Sequence, residues 1–237
     1  METRINKWRK NACTSRIEEG NKMKTNIKTL IISGGDIKKG ILTNTLKHAK
    51  FNNIIAVDKG LEILYECKIM PNYIIGDFDS VNKELIDKYS NSKIIKLNPE
   101  KDFTDTQMAI KLAIEIKSTE ILVLGAIGTR IDHTIANIHI LKECLEREIK
   151  CQIVNENNKI FLIEKDTIIN LESNYKYVSL IPLTTEVTGV TLTGFKYSLE
   201  NSTLKIGESI GVSNEQLNQE AQIKLKNGIL ICIKSKD

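Results

Sequence analysis

The residues with most chemical promise sit in Gly76-Asp77-Phe78-Asp79-Ser80, directly after the short apolar run Tyr73-Ile74-Ile75. Carboxylates at alternate positions past a strand can converge on one divalent cation if the turn bends them together, and magnesium takes one or two carboxylates and fills its octahedron with water and phosphate. The same two aspartates also suit a plain turn that caps the following helix. Further acidic or glycine-rich turns follow the other apolar runs: Ser33-Gly34-Gly35-Asp36, Asp58-Lys59-Gly60, Lys101-Asp102-Phe103-Thr104-Asp105, and Gly125 through Thr129-Arg130-Ile131-Asp132-His133. If these runs are parallel strands of one sheet, all five turns share the sheet's carboxyl edge, where ligands of such folds bind. Carboxylates gathered there repel one another unless cations balance them, which points to a divalent metal and a phosphate-bearing ligand.

Each residue also has a plainer reading. Asp105 complements the dipole of a helix capped by Thr104, and Asp132 could cap a helix starting near His133. Gly125 and Gly128 allow close backbone approach to a phosphate, which Arg130 could bind bidentately. His133 fits a proton carrier and a helix cap equally well. His139, set among Ile138, Ile140 and Leu141, reads as partly buried, and His48 as a surface residue. Gly207-Glu208-Ser209-Ile210-Gly211 matches a hydrolase nucleophile elbow, but it lies in a β-rich region and no histidine follows it, so it is rejected. No Walker A sequence is present.

The elements that must position these residues are legible from periodicity. Strands are expected at 27–33, 53–57, 72–76, 93–97, 120–125 and 151–154, with helices near 40–50, 60–68, 82–90, 104–117 and 133–148. In the fourth helix Thr104 and Gln107 form a capping box, and Met108, Leu112 and Ile116 repeat on one face. Beyond Asn155 the pattern changes to short β-branched runs separated by Asn, Gly and Ser, with weak helix or loop character at 214–221. The expected fold class is therefore α/β with a mainly parallel sheet, followed by an all-β, antiparallel, sandwich-like domain.

Bulk properties set limits. The 237 residues are 41% apolar and carry 34 basic and 30 acidic side chains, a net +4. Six basic and three acidic residues fall in 1–22, which holds the only tryptophan, Trp8, and reads as a disordered extension or an upstream start. The remaining body is near neutral, so no nucleic-acid partner is expected. No apolar run approaches the ~20 residues of a membrane span. The five cysteines include no CxxC pair, and Cys67, Cys144, Cys151 and Cys232 lie in apolar segments and read as small hydrophobes, which suggests a reducing, cytoplasmic setting.

Together these motifs resemble the thiamine pyrophosphokinase family, in its bacterial form. The matching stretches are Ile32–Asp36, Ala56–Gly60, Pro71–Ser80, Lys101–Asp105, Gly125–His133 with Asn137, and, further on, Ile181-Pro182-Leu183, Leu192–Tyr197 and Val212–Glu215. The resemblance covers about Lys24 to Asp237. It implies transfer of pyrophosphate from ATP to the hydroxyl of thiamine, by in-line attack at the β-phosphorus, with AMP leaving and Mg2+ required. It also implies an ATP-binding catalytic domain over 23–155 and a thiamine-binding, dimerising domain over 156–237, in a homodimer with the site between subunits. By motif, Asp77, Asp79 and Asp105 would hold magnesium and polyphosphate, and Lys101, Asp102 and Thr104 would surround the transferring group. Arg130 and Asp132 would line the substrate cleft, reached by Ser213 and Asn214 from the β domain. Gly34, Gly35, Asp36, Asp58, Gly125, Gly128, Thr129, His133 and Asn137 complete the expected ATP and substrate site. Asp105 and Asp132 are both candidate bases. Eukaryotic members stack thiamine on a tryptophan of the β domain; this chain has none there, and Ser213–Glu220 contains no aromatic residue.

Two rival readings keep the same carboxylates. A haloacid-type phosphatase would place its nucleophilic aspartate after the first strand, whereas this D-x-D follows the third. A nucleotide or thiamine sensor would not need the full set of rim carboxylates.

Overall fold

The computed structural model describes residues 26–78, 83–98 and 102–237. The 1–22 extension, Asp79 and Lys101 lie outside the described residues. The α/β part runs β1 (Lys28–Ile32), α1 (Lys39–His48), β2 (Asn53–Val57), α2 (Gly60–Glu66), β3 (Tyr73–Gly76), α3 (Lys83–Asp87), β4 (Lys93–Lys96), α4 (Asp105–Glu115), β5 (Glu120–Leu124), α5 (Ile131–Leu145) and β6 (Lys150–Val154). Seven strands follow: β7 (Asn158–Ile163), β8 (Thr167–Asn170), β9 (Tyr177–Pro182), β10 (Glu186–Thr193), β11 (Leu199–Lys205), β12 (Glu220–Lys224) and β13 (Leu230–Ser235).

Among the described residues these strands form two sheets. The larger has nine, in the order β4-β3-β2-β1-β5-β6-β7-β13-β9, with its first six parallel. The smaller has four, in the order β11-β10-β12-β8, all antiparallel. From β1 the chain winds outward to β4, then returns to place β5 on the other flank of β1. Both neighbours of that switch point leave their carboxyl ends on one edge.

Apolar residues dictate this layering. In β1, Leu30 and Ile32 point to one face and Ile31 to the other, and all three are fully buried. Leu30 and Ile32 pack with Leu42 of α1 and Leu61 and Leu64 of α2. Ile31 joins Ala109, Ile110 and Ala113 of α4 and Leu141 of α5. Strands buried on both faces read as continuous aliphatic runs, as parallel sheets require. Each such side chain stabilises the fold by about 1.5–3 kcal/mol.

The expected 155/156 boundary falls in the turn between β6 and β7, and the large sheet continues across it. Asn155 Oδ1 accepts from the backbone N–H of Asn157 at 3.0 Å and of Asn158 at 2.7 Å, which reverses the chain so that β7 pairs antiparallel with β6. β7 and β13 then serve both parts. Ile160, Leu162, Ile231 and Ile233 face the α/β core, while Ile163, Leu230 and Cys232 face the small sheet through Val187, Val190, Leu204 and Ile223. This second interface is the sandwich.

Residues 214–221 form no helix; Asn214 and Gln216 make isolated bridges to Val178 and Phe195. His139 is exposed rather than partly buried, because it points away from the face of α5 that carries Leu141 and Cys144. Cys144, Cys151 and Cys232 are buried as expected, and burial pushes the Cys232 thiol up to about 12.

Candidate active site

The glycines of the rim are where they are for steric reasons. At the β1–β5 switch point Gly35 N donates to Gly125 O at 2.9 Å, and a Cβ on Gly35 would lie 2.5 Å from that same oxygen. Gly125 has φ +73°, and a Cβ there would meet Ser33 O at 2.5 Å. Two loops can therefore touch backbone to backbone only because both positions lack side chains. On the other flank, a Cβ on Gly76 would fall 2.0 Å from Asp58 Oδ1. The Asp58 carboxylate is thus seated over the end of β3, beside Asp77. Both Asp58 (φ 45°) and Phe78 (φ 62°) sit in the left-handed region, so backbone strain is held at this edge.

Asp105 reaches the rim through α4. Thr104 Oγ1 accepts from Gln107 N at 3.2 Å, as the capping-box reading predicts, and Asp105 is the acidic residue of the first turn. The next residue, Thr106, is buried and its Oγ1 lies 2.6 Å from Ser33 Oγ, tying the start of α4 to the end of β1. Lys111 stands 4.9 Å from the Phe103 ring centroid, which folds the exposed Asp102–Phe103 segment back along the helix. Asp36, Asp102, Gly34, Gly128, Thr129, Arg130, Asp132 and His133 are all exposed; Asp58, Asp77, Thr104 and Asp105 are half-buried.

Arg130 is the N-cap position of α5, so Asp132 lies within the first turn instead of capping it. Arg130 donates to Asp132 through Nη2 at 2.6 Å and Nε at 3.3 Å. That hydrogen bond holds the Asp132 carboxyl below its ordinary value and raises the Arg130 guanidinium. Asn137 is buried and donates from Nδ2 to Ala126 O at 2.8 Å. Its amide braces the Gly125–Gly128 loop from beneath.

The β-unit candidates behave differently from each other. Ser213 is exposed, with φ 56°, and its N–H donates to Ser179 Oγ at 3.0 Å. Asn214 is only 4% exposed. Its Oδ1 accepts from Tyr197 N at 3.0 Å and Glu215 N at 2.9 Å, and its Nδ2 donates to Tyr197 O at 2.7 Å. Its side chain serves as a clasp between two loops. That clasp borders a cavity of about 240 Å³ lined by Leu192, Tyr197, Leu199, Ser209, Ile210 and Val212. Tyr197 is 61% exposed at this cavity, and Lys196, paired with Glu215 at 2.8 Å, lies 5.6 Å from its ring centroid. Sequence reasoning passed over Tyr197 as a site residue. The signal was an aromatic after Lys196 in a strand-ending loop.

Among the described residues no group of three or more His, Cys, Asp or Glu side chains is placed to hold a metal ion. Half-built oxygen sites suit magnesium, which retains phosphate and water ligands.

Residues 42–153 match the family model described as thiamin pyrophosphokinase, catalytic domain, and residues 166–230 match its vitamin B1 binding domain. The chain is 33% identical over 191 residues to the thiamine pyrophosphokinase of Bacillus subtilis (strain 168), an alignment covering 77% of this chain and 87% of the relative. A Caenorhabditis elegans thiamin pyrophosphokinase is 29% identical over 172 residues, covering 69% and 70%. A crystal structure of thiamine pyrophosphokinase from Bacillus subtilis superposes with a TM-score of 0.81 at 29% identity, covering 89% of this chain and 99% of that one. The yeast enzyme, at 21% identity and a TM-score of 0.76, shares the fold. With both domain models matched in chain order, and a relative one-third identical over most of its length, this chain belongs to the thiamine pyrophosphokinase family.

Proposed function

We propose that this protein transfers pyrophosphate from ATP to the hydroxyl of thiamine, giving thiamine diphosphate and AMP. The observation that carries the reading is the strained edge at which Asp58 is locked over Gly76 beside Asp77, one strand away from the touching Gly35 and Gly125 loops. Such an edge can take a polyphosphate and its counter-cation together.

In this reading Asp77, Asp79 and Asp105 would hold magnesium, which would supply charge neutralisation of the polyphosphate. Lys101, Asp102 and Thr104 surround the transferring group. Arg130 turns its guanidinium to a phosphate oxygen, with Asp132 fixing its plane. The thiamine oxygen attacks the β-phosphorus, a new P–O bond forms, the bond to the α-phosphate oxygen breaks, and AMP leaves. The hydroxyl proton passes to a carboxylate late in the step, since a loose transition state asks little of the base early. Asp105 and Asp132 are both candidates for this role, and the hydrogen bond from Arg130 holds the Asp132 carboxyl below its ordinary value.

Thiamine is assigned to the β-unit cavity, where Tyr197 offers its ring to the cationic thiazolium and takes the place of the missing tryptophan. Asn214 then acts by holding the Tyr197 loop, and Ser213 presents its hydroxyl beside it. A second copy brings this cavity to the rim of its partner. Ile131 and Ile135, 65% and 50% exposed on α5 next to Arg130, together with Ile210 and Val212 around the cavity, supply apolar surface for that contact. No described helix is long and apolar enough to cross a membrane. We assign the protein to the cytoplasm.

The test is an assay with purified protein, ATP, Mg2+ and thiamine. Thiamine-dependent AMP and thiamine diphosphate are expected in equal amounts. ADP as product, or turnover indifferent to thiamine, overturns the reading.

A further inference from the structure

The buried stripe of α4 is Thr106, Ala109, Ile110 and Ala113. The last three are apolar, as a helix face laid on a sheet requires. Thr106 carries a hydroxyl, and it stands in the turn that begins with Asp105. A valine of the same shape would fill that space without the cost of taking a hydroxyl out of water. The cost is offset by Ser33 Oγ, also buried and 2.6 Å away, from 73 positions earlier in the chain. Ser33 is itself fixed. Its N–H donates to Leu124 O at 2.8 Å, and its carbonyl oxygen lies 2.5 Å from where a Cβ on Gly125 would stand and 3.0 Å from one on Gly60. It sits where the loops after β1, β2 and β5 meet. The hydroxyl pair joins α4 to that junction.

We propose that the Ser33–Thr106 hydroxyl pair is a positioning device for Asp105: it sets the roll of α4 and so aims that carboxylate at the rim. The inference rests on the reading above that places Asp105 in the site. Apolar contacts are non-directional and tolerate a small roll of a helix, whereas a hydrogen bond between two short side chains does not. Successive helical residues are set about 100° apart around the axis, so anchoring Thr106 to the sheet fixes the direction in which Asp105 leaves the helix. With side chains reaching about 5–6 Å from the axis, a roll of about 20° would carry the Asp105 carboxylate about 2 Å. A displacement of even ~1 Å can cost ~10²-fold in a reaction that depends on placement. Ser33 and Thr106 act through Asp105 and do not touch thiamine, so their effect belongs in kcat.

The experiment uses the full chain, with steady-state kinetics and unfolding temperature measured on the same preparations. Thr106→Val keeps the shape and removes the hydroxyl. It should lower kcat about 10-fold or more, with the KM for thiamine within about twofold of wild type. It should also lower the unfolding temperature, because Ser33 Oγ stays buried without its partner. Thr106→Ser keeps the hydroxyl and should stay within about threefold of wild-type kcat. Adding Ser33→Ala to Thr106→Val removes the stranded hydroxyl, so the unfolding temperature should return to within about two degrees of wild type while kcat stays about 10-fold down. A kcat that recovers together with stability in the double variant reduces the pair to a structural contact and overturns the proposal. So does wild-type kcat in Thr106→Val, or a KM for thiamine that rises as much as kcat falls. Asp105→Asn separates the inference from the reading beneath it: wild-type turnover there takes Asp105 out of the site, and the device falls with it. Wild-type protein that makes no AMP from ATP and thiamine overturns the proposed reaction itself.

Discussion

The polar groups of the parallel-sheet rim and those of the β unit are spent in opposite ways. At the rim, Asp36, Asp102, Arg130, Asp132 and His133 are exposed, and nearby backbone is held in left-handed conformations. In the β unit, Asn214 is buried with three hydrogen bonds to main chain, and Lys234, 4% exposed, donates to Asn170 O at 2.6 Å and Glu172 at 2.8 Å. A buried polar group that is fully matched rigidifies its surroundings. One on an open, strained edge keeps bonding capacity for something else. The contrast supports the proposal that the rim carries the chemistry while the buried amide of Asn214 gives support.

The largest effect that sharpens this contrast is expected from Asp77→Asn. In the proposed site it removes a charge that would face the metal and phosphates but keeps size and hydrogen-bonding shape. Turnover should fall by roughly 10²–10³-fold, the scale of losing one preorganised electrostatic contact, with the unfolding temperature unchanged within a degree or two. Wild-type turnover would take Asp77 out of the site. A collapse in stability instead would make the rim carboxylate a structural group and break the contrast.

Asn214→Ala tests the other side. Two backbone N–H groups and one C=O lose a buried partner, so the protein should lose about 2–3 kcal/mol of stability, or roughly 5–10 °C in unfolding temperature for a chain of this size. Activity should be lost in step with the fraction unfolded. A variant that keeps its stability but binds thiamine much more weakly would show that the amide reads the substrate directly.

The alternation of strand and helix, the switch of texture after Asn155 and the clustering of carboxylates on one edge were all legible in the sequence, because each follows from local periodicity or from what trails a strand. The capping box at Thr104 was legible for the same reason. What was not legible depends on pairing across the chain. Asn214 is expected as a site residue from its motif, and that both ends of its amide bond to Tyr197, 17 positions earlier, could not be read there. Asn137 likewise proves to brace Ala126. The run Asn158–Ile163 has the pattern of a buried strand whether it joins the small sheet or extends the large one. Only the Asn155 turn decides, and β7 and β13 consequently belong to both cores.

Glu172 gives a smaller and pH-dependent effect. Burial alone would raise its carboxyl, but hydrogen bonds from Lys159 and Lys234 outweigh that and hold it below the ordinary 4.5. A group with a depressed folded-state value stabilises the fold at pH above its unfolded value, and that contribution disappears as pH falls through the folded value. Glu172→Gln should therefore cost about 2 kcal/mol at neutral pH, since Lys234 is left buried without its counter-charge but Glu172 itself is partly screened by water. Below about pH 4 the gap between wild type and variant should narrow. Denaturant melts at a series of pH values check this, and a constant gap across the acid range would show that the Glu172 charge does not stabilise Lys234.

The smallest effect belongs to the residue that crosses the contrast. Tyr197 lies in the supporting unit, yet its side chain is mostly exposed while its backbone is what Asn214 grips. If the ring meets the thiazolium, Tyr197→Ala should raise the KM for thiamine about 10-fold, within the ~0.5–2 kcal/mol range of a cation over an aromatic face, with kcat and the KM for ATP little changed. Tyr197→Phe retains the ring and should stay within about threefold of wild type. Because the clasp bonds to main chain, both variants should unfold near the wild-type temperature, so a change in thiamine affinity can be assigned to the ring. Equal thiamine constants in the alanine variant and the wild type would return Tyr197 to the ordinary surface, and the β unit would then contribute support without a ring contact to substrate.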